Sequence, residues 1–398
     1  MISVEEAVAR IVSAFAPVEA ESVSIGYAAG RVLAADAIAR FDQPPFPVSA
    51  MDGYAVRVGD IDQVPVSLRV IGSAPAGHPF NRKIGVGEAV RIFTGGVVPE
   101  GADTIVIQED TDATGDTVTI KEIPKLHRHI RKAGLDFRAG DVLAVAGRRL
   151  TARDVSLIAA GDIASVSVRR RPRIAFAATG DELSKPGEAR KQGGIVDSSV
   201  YGLAALIEKW GGEAIDLGIV PDAAEAIAAL PRRAANADLL VTLGGASVGE
   251  HDLIQKALGP EGFKLDFWKI AMRPGKPLIF GRLGALPLLG LPGNPVSTLV
   301  CAILFLRPAI TAMLGTGTSA TLLNAKLATD LPANDSRQDY IRARLTLANG
   351  EWLAEPFAIQ DSSMLSTLAA ADALILHTPH APAIPAGGRV DILPLDDI

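Results

Sequence analysis

Three glycine-rich stretches carry the residue types that hold an anion: Gly244-Gly245-Ala246-Ser247-Val248-Gly249, Arg273-Pro274-Gly275-Lys276-Pro277 and Leu291-Pro292-Gly293-Asn294-Pro295-Val296-Ser297. Glycine lets a backbone come close to a ligand. In the third stretch residues 286–291 have strand length, Asn294 suits a helix N-cap, Pro295 suits the first helical position, and residues 296–305 are apolar enough for a buried helix. The segment reads strand, turn, helix. A helix N-terminus presents free N–H groups and the positive end of the dipole, which favour an anion. Alone it could be a β-to-α turn and nothing more. With the other two it points to a phosphate-like ligand, bound by Gly244, Gly245, Ser247, Gly249, Pro292, Gly293, Asn294 and Pro295. Arg273 and Lys276 flank a Pro-Gly pair that fixes their spacing. Two cations held close together suit a tetrahedral oxyanion, and a guanidinium offers it two parallel donors.

Acidic residues recur beside these stretches. Thr179-Gly180-Asp181-Glu182, Pro221-Asp222 and the loop running to Asp252 each follow an expected strand. If the strands before Asp222 and Asp252 are adjacent, the two carboxylates face a phosphate together, which suits Mg²⁺, with Glu182 a third acid at the same rim. Asp252 also suits the N-cap of a helix over 253–258. The six histidines show no ligand spacing, and no zinc or haem site is expected.

These residues need elements to position them. A chain of 398 residues implies more than one core. Its 48% hydrophobic and 21% charged residues exclude a disordered or fibrous protein. Residues 4–15, capped by Ser3, and 28–35 have helical pattern. From Asp42 onward short β-rich pieces follow at 54–58, 66–71, 89–93, 104–108 and 117–120, and helical pattern returns at 151–159. From Arg173 strands at 174–178, 213–219 and 238–243 alternate with helices at 198–209 and 223–235, the pattern of a mostly parallel sheet with helices on both faces. Ligands in such folds sit beyond the carboxyl ends of the strands. After about Leu322 the pattern is again β-rich, with a hairpin over 340–347 and 350–356.

Composition narrows partners and compartment. A net charge of −6 argues against general nucleic-acid binding. The longest apolar run stops at Arg307, too short to span a bilayer, and Glu5 and Glu6 do not resemble a secretory leader. The single cysteine, Cys301, falls in the apolar helix and excludes an intrachain disulfide, which fits a reducing cytoplasm.

The ordered set of Ser49-Ala50-Met51-Asp52-Gly53-Tyr54-Ala55, Ile92-Phe93-Thr94-Gly95-Gly96, Gly134-Leu135-Asp136, Thr179 to Leu183, Gly244 to Asp252, Arg273 to Pro277 and Leu291 to Ser297 resembles the molybdopterin molybdenumtransferase family, which includes bacterial MoeA proteins and the E domain of gephyrin. The resemblance spans essentially the whole chain. It implies a multidomain α/β fold: a discontinuous helical domain over 1–41 and 136–170, an inserted β domain over 42–135, a central three-layer α/β/α molybdopterin-binding domain over 171–318, and a C-terminal β-barrel-like domain over 319–398. The implied reaction is insertion of molybdate into adenylated molybdopterin with Mg²⁺-dependent release of AMP, in a cytoplasmic homodimer whose active sites lie between subunits. The implied partners are the upstream molybdopterin adenylyltransferase and the recipient molybdoenzymes, with no nucleic acid and no membrane. By the same matching Lys269 joins Arg273 and Lys276 at the oxyanion, and Arg342 and Ser362 complete its pocket. Asp52, Thr94 and Asp136 belong to the shared cleft, Asp136 as the base that activates water. Arg273 stands where relatives commonly carry Lys. A catalytically silent scaffold and an adenylyltransferase are the competing readings; the acidic and basic motifs speak against the first and the two flanking β regions against the second.

Overall fold

The computed structural model describes residues 1–190, 192–244, 251–317 and 322–396, with side chains at 251–253 left out. The chain divides into two compact units, Ser22–Val168 and Met1–Glu21 with Arg169–Ile398. The second begins with α1 (Val4–Ser13), whose cap is the Ser3 hydroxyl accepting the Glu6 N–H at 3.1 Å. Val4, Ala7 and Ile11 recur at helical spacing and are buried.

The Ser22–Val168 unit is built around a six-stranded sheet ordered Thr104–Ile107, Gly53–Val56, Glu88–Ile92, Val66–Ala74, Thr117–Ile120, Thr111–Thr114. Tyr54, Val56 and Val106 pack into one core and Ala55, Val90 and Ile105 into another, so both faces of the central strands are covered. The helix expected at 28–35 is absent. Gly30 turns the chain with φ +76°, and Val32 and Leu33 bridge to Arg149 and Val168, so pairing overrides local helical pattern. The expected second helix is present as α2 (Ala152–Ala160), opened by a capping box between Thr151 and Asp154.

The other unit holds the alternating pattern: β1 (Arg173–Thr179), α3 (Ser199–Lys209), β2 (Glu213–Val220), α4 (Ala224–Ala228), α5 (Leu230–Arg233), β3 (Leu239–Leu243), α6 (His251–Leu258), β4 (Phe263–Trp268), β5 (Ile279–Leu283), β6 (Leu286–Leu291) and α7 (Pro295–Cys301). One helix was expected over 223–235; the chain instead forms α4 and α5, with Pro231, which has no N–H to donate, in the first turn of α5. The sheet order is β2-β1-β3-β6-β5-β4, parallel through its first four strands and antiparallel beyond. Ile227, Leu230, Ile254 and Leu258 cover one face, and α3 and α7 pack together on the other, giving three layers. Because the chain steps from β1 outward to β2 and then across to β3, its direction of winding reverses between β1 and β3, where a ligand crevice opens in doubly wound sheets.

After α7 the helix continues through a π-helical turn over Ala302–Leu306 into α8 (Arg307–Leu314). The apolar run therefore does not stop at Arg307. The wider turn accommodates Pro308, and the helix spans Pro295–Leu314, 20 residues, long and apolar enough to cross a membrane. About two-thirds of it (67%) is buried in this fold, as befits a core helix.

The chain then forms β7 (Leu323–Leu327), β8 (Gln338–Ala348), β9 (Glu351–Pro356), β10 (Ala373–His377) and β11 (Arg389–Pro394). Their order is β8-β9-β7-β11-β10, and β10 pairs back to β8, closing a five-stranded barrel. The expected hairpin is β8 with β9. The short strand Met272–Arg273 adds alongside β8 in parallel, opposing Arg273 to Asp339.

Candidate functional site

The carboxyl ends of β1, β3 and β6 lie side by side, with Ala178 opposite Leu243 and Leu243 opposite Leu291. The glycine turns that follow them therefore meet. The Gly244 N–H donates to the Leu291 carbonyl at 3.1 Å. Gly244 has φ +88°, and a Cβ there would fall 2.7 Å from the Thr179 carbonyl oxygen; a Cβ on Gly293 would fall 3.4 Å from the Gly244 Cα. A side chain at Gly244 would collide with the Thr179 carbonyl, and one at Gly293 would rest on the Gly244 backbone, so backbone forms this wall of the crevice. Glu182 folds back over Gly180, its carboxylate within 2.6 Å of where a Cβ would stand. Gly245, Ser247 and Gly249 lie outside the described residues, as does the side chain of Asp252.

Asn294 occupies the N-cap position of α7 with Pro295 in the first turn, but its side chain does not cap. Its amide donates instead to the Ser362 hydroxyl at 2.8 Å, and the Val296 N–H donates to the Ser362 carbonyl at 3.2 Å. The first turn is held by Thr298, whose hydroxyl donates to the carbonyls of Pro292 and Asn294. Ser362 is joined through its own loop to Arg342, the largest of the fully buried side chains at 1% exposure. Arg342 donates from Nε to Gln360 Oε1 at 3.0 Å and from a terminal nitrogen to the Asp361 carbonyl at 2.9 Å. Both acceptors are neutral. Burial lowers the Arg342 pKa against the nearby Asp361 carboxylate, yet a guanidinium stays charged. Among the described residues Arg342 makes no direct ion pair, and Asp361 is the acid that partly offsets its charge.

Arg273 is placed differently. Its Nε donates to Asp339 Oδ1 at 2.8 Å and a terminal nitrogen to Asp339 Oδ2, a two-bond clamp, with Asp335 3.7 Å away. Asp339 foremost raises the arginine pKa. The adjoining Gly275, at φ +105°, packs on the end of α7: a Cβ would meet Cys301 Sγ at 2.3 Å. Lys276 is exposed, and its carbonyl accepts the Ile270 N–H at 3.0 Å. The Lys269 ammonium lies 3.7 Å from the centroid of the Trp268 ring. Thus the Gly244 and Gly293 turns touch directly, whereas the Arg273 loop touches the far end of α7, about 10 Å along a helix of that length.

In the Ser22–Val168 unit, the Thr94 N–H and hydroxyl both donate to Asp52 Oδ1, at 2.7 and 2.9 Å. These bonds, the backbone one first, lower the Asp52 pKa. Asp136 lies in a bend just before Phe137, which bridges Gln43, and its N–H donates to the Gln43 carbonyl at 2.9 Å. Sequence reasoning missed Arg91, which bridges the Gly53 carbonyl at 3.1 Å and Gln108 Oε1 at 2.8 Å and lies over the rings of Tyr54 and Phe93. Its place three residues before Thr94 on a strand was the available signal.

The acids at the crevice are ordered differently from the sequence reading. Strand β1 lies between β2 and β3, so the strands before Asp222 and Asp252 are not adjacent. The adjacent pair is β2 with β1, and the Gly180 N–H donates to the Val220 carbonyl at 3.2 Å, so the segments leading to Asp222 and Glu182 leave neighbouring strands. Succession along the chain is not neighbourhood across a doubly wound sheet. Sequence reasoning also missed Asp197, which is 6% exposed: Oδ1 accepts the Ser199 N–H at 3.2 Å, Oδ2 has no partner among the described residues, and burial raises its pKa. No group of three or more His, Cys, Asp or Glu converges among the described residues.

Glycine turns at the reversal of a doubly wound sheet, tied through Asn294 and Ser362 to a buried cation, are the arrangement that suits an anionic ligand at the strand ends. Three family models match in order: MoeA N-terminal region (domain I and II) at 2–161, probable molybdopterin binding domain at 175–312, and MoeA C-terminal region (domain IV) at 324–395. The chain is 40% identical to a molybdopterin molybdenumtransferase of Haemophilus influenzae, over 75% of this chain and 74% of the relative. It is 37% identical to one of Nostoc sp., over 83% and 78%. The crystal structure of a molybdopterin biosynthesis MoeA protein from Pyrococcus horikoshii superposes with a TM-score of 0.87 at 30% identity, covering all of both chains. The chain belongs to the molybdopterin molybdenumtransferase family, enzymes of molybdenum cofactor biosynthesis.

Proposed function

We propose that this chain inserts molybdate into adenylated molybdopterin and releases AMP, with Mg²⁺ at the phosphates. The observation that carries this reading is the backbone wall made by Gly180, Gly244 and Gly293 at the reversal of the sheet, joined by the Asn294–Ser362 bond to buried Arg342. A wall without side chains admits a phosphate closely. Lys269, Lys276 and Arg342, whose hydrogen bonds go to neutral acceptors, supply the cationic side for a tetrahedral oxyanion. Of the three acids, Asp222 and Glu182 leave neighbouring strands and would hold Mg²⁺ together in this reading, with Asp252 one strand further along the same rim. Mg²⁺ takes one or two carboxylates, phosphate oxygens and water, so a two-acid site suffices. The metal would neutralise phosphate charge as the phosphoanhydride is cleaved. Water adds to phosphorus, the bond to the leaving phosphate breaks, and Asp136 takes the water proton, with Asp52 held ready by Thr94.

We infer a homodimer with the site shared between subunits, in the cytoplasm, organised as domains 1–41 with 136–170, 42–135, 171–318 and 319–398. Exposed Phe41, Phe46 and Leu135, at 59, 59 and 63%, surround the Gln43 and Asp136 segments and support a partner there. Adenylated molybdopterin, the enzyme that adenylates it and the recipient molybdoenzymes are its partners. AMP release from purified protein given adenylated molybdopterin, molybdate and Mg²⁺ tests the reading. Release that requires molybdate and is lost in Asp252→Ala is expected; tight pterin binding without release would instead indicate a carrier.

A further inference from the structure

Resting on the oxyanion reading above, we propose that Asp339 is a positioning residue of that site, acting through Arg273 on the loop that carries Lys276. Asp339 is 7% exposed and stands opposite Arg273 in the parallel pairing of Met272–Arg273 with β8. Its two oxygens take Nε and a terminal nitrogen of the guanidinium, the two parallel donors a free arginine would offer an oxyanion. The remaining terminal nitrogen lies 3.7 Å from Asp335, which is itself paired with Arg337 at 3.0 Å. The charge of Arg273 is met on the protein side. Asn334 extends the anchor: its Nδ2 donates to the carbonyls of Arg337 and His377, both at 2.8 Å, next to Asp339 and the facing strand β10.

Lys276 has the opposite surroundings. It is exposed and makes no ion pair among the described residues, three positions from an arginine clamped to the barrel. Between them Gly275 is pressed against Cys301 at the end of α7, so the loop is fixed by the barrel on one side and the core helix on the other. A lysine ammonium is a point charge without the fork geometry, so an arginine at 273 is the residue able to make this clamp. The oxyanion is met by Lys276, and Arg273 holds Lys276 in place.

A double-mutant cycle with a charge swap separates the roles, reading the half-saturation concentrations of molybdate and of adenylated molybdopterin in the AMP-release assay. Arg273→Gln and Asp339→Asn are each expected to raise the molybdate value by the same factor, about fivefold, with the pterin value unchanged and the double variant no worse than either single. The swap R273D/D339R, which remakes the clamp, restores the molybdate value. A rise of more than about tenfold in R273Q with D339N near wild type would make Arg273 a direct ligand and overturn the proposal. Molybdate values unmoved in both variants, with only total activity reduced, would show a merely structural tie and overturn it too. Should a single variant fold poorly, the swap decides: restoration supports the clamp and failure in a folded swap rejects it. Lys276→Gln tests the underlying reading separately, because an unchanged molybdate value there would show that no oxyanion binds at this loop, whatever the 273–339 cycle gives.

Discussion

Two arginines meet strand β8 three positions apart yet live in opposite electrostatic worlds: Arg342 on β8 itself and Arg273 opposite Asp339. Arg342 is buried and bonded only to a neutral amide and a carbonyl, so its charge reaches outward. Arg273 is half exposed and bonded to a carboxylate, so its charge is cancelled where it stands. The difference teaches that exposure does not tell which cation has its charge met by a bonded carboxylate. Burying a cation with no carboxylate hydrogen-bonded to it and only Asp361 nearby is costly and is retained here beside Ser362 and Asn294, whereas a half-exposed pair is cheap structure.

The contrast breaks most sharply at Arg342. Arg342→Gln should abolish measurable AMP release and lower stability by roughly 3 kcal/mol in denaturant unfolding, against about 1 kcal/mol or less for Arg273→Gln. Equal losses would erase the distinction. Next in size, Gly244→Ala should cost roughly 1–3 kcal/mol and most of the pterin affinity, since the new Cβ meets the Thr179 carbonyl at a positive φ; calorimetric titration with molybdopterin reads the affinity. Coupling between the helix and the Arg342 loop comes third. Asn294→Ala and Ser362→Ala should show a coupling energy of about 1 kcal/mol in a cycle of unfolding free energies, because each removes the same hydrogen bond. Additive effects would mean that the bond carries nothing.

The smallest effect lies on the Arg273 side. His377 is 3% exposed with Nε2 unpartnered among the described residues, and burial lowers its pKa, opposed by Asp339. A histidine whose folded pKa lies below its unfolded value of about 6.5 binds its proton more readily when unfolded, so stability falls as pH drops through 6.5 toward the folded pKa. His377→Gln should flatten that slope in melting curves between about pH 5 and 7. A slope unchanged in the variant would assign it elsewhere.

How much of this was legible in the sequence depends on whether spacing or topology decides. The strand, turn and helix around Asn294 follow from local chemistry, and so do the Ser3 cap and the β8–β9 hairpin. Residues 28–35 were misread because pairing partners at Arg149 and Val168 are more than a hundred residues away, and helical pattern knows nothing of them. The supposed neighbourhood of Asp222 and Asp252 failed for the same reason: the position of β1 between their strands is a property of winding. Asn294 was recognised as a cap by type, but its side chain is spent on Ser362, a partner 68 positions on. The clamp on Arg273 was invisible because nothing near Gln338-Asp339-Tyr340 announces which strand will lie beside it.

The single thiol of the chain is sealed beneath the Gly275 turn, with burial raising its pKa well above the usual thiol range. A reagent can reach it only when its cover opens, and the Gly275 turn is part of that cover, so alkylation under native conditions would report opening around the end of α7. The protein thus carries its own unlabelled reporter of motion where the Lys276 loop meets the core helix.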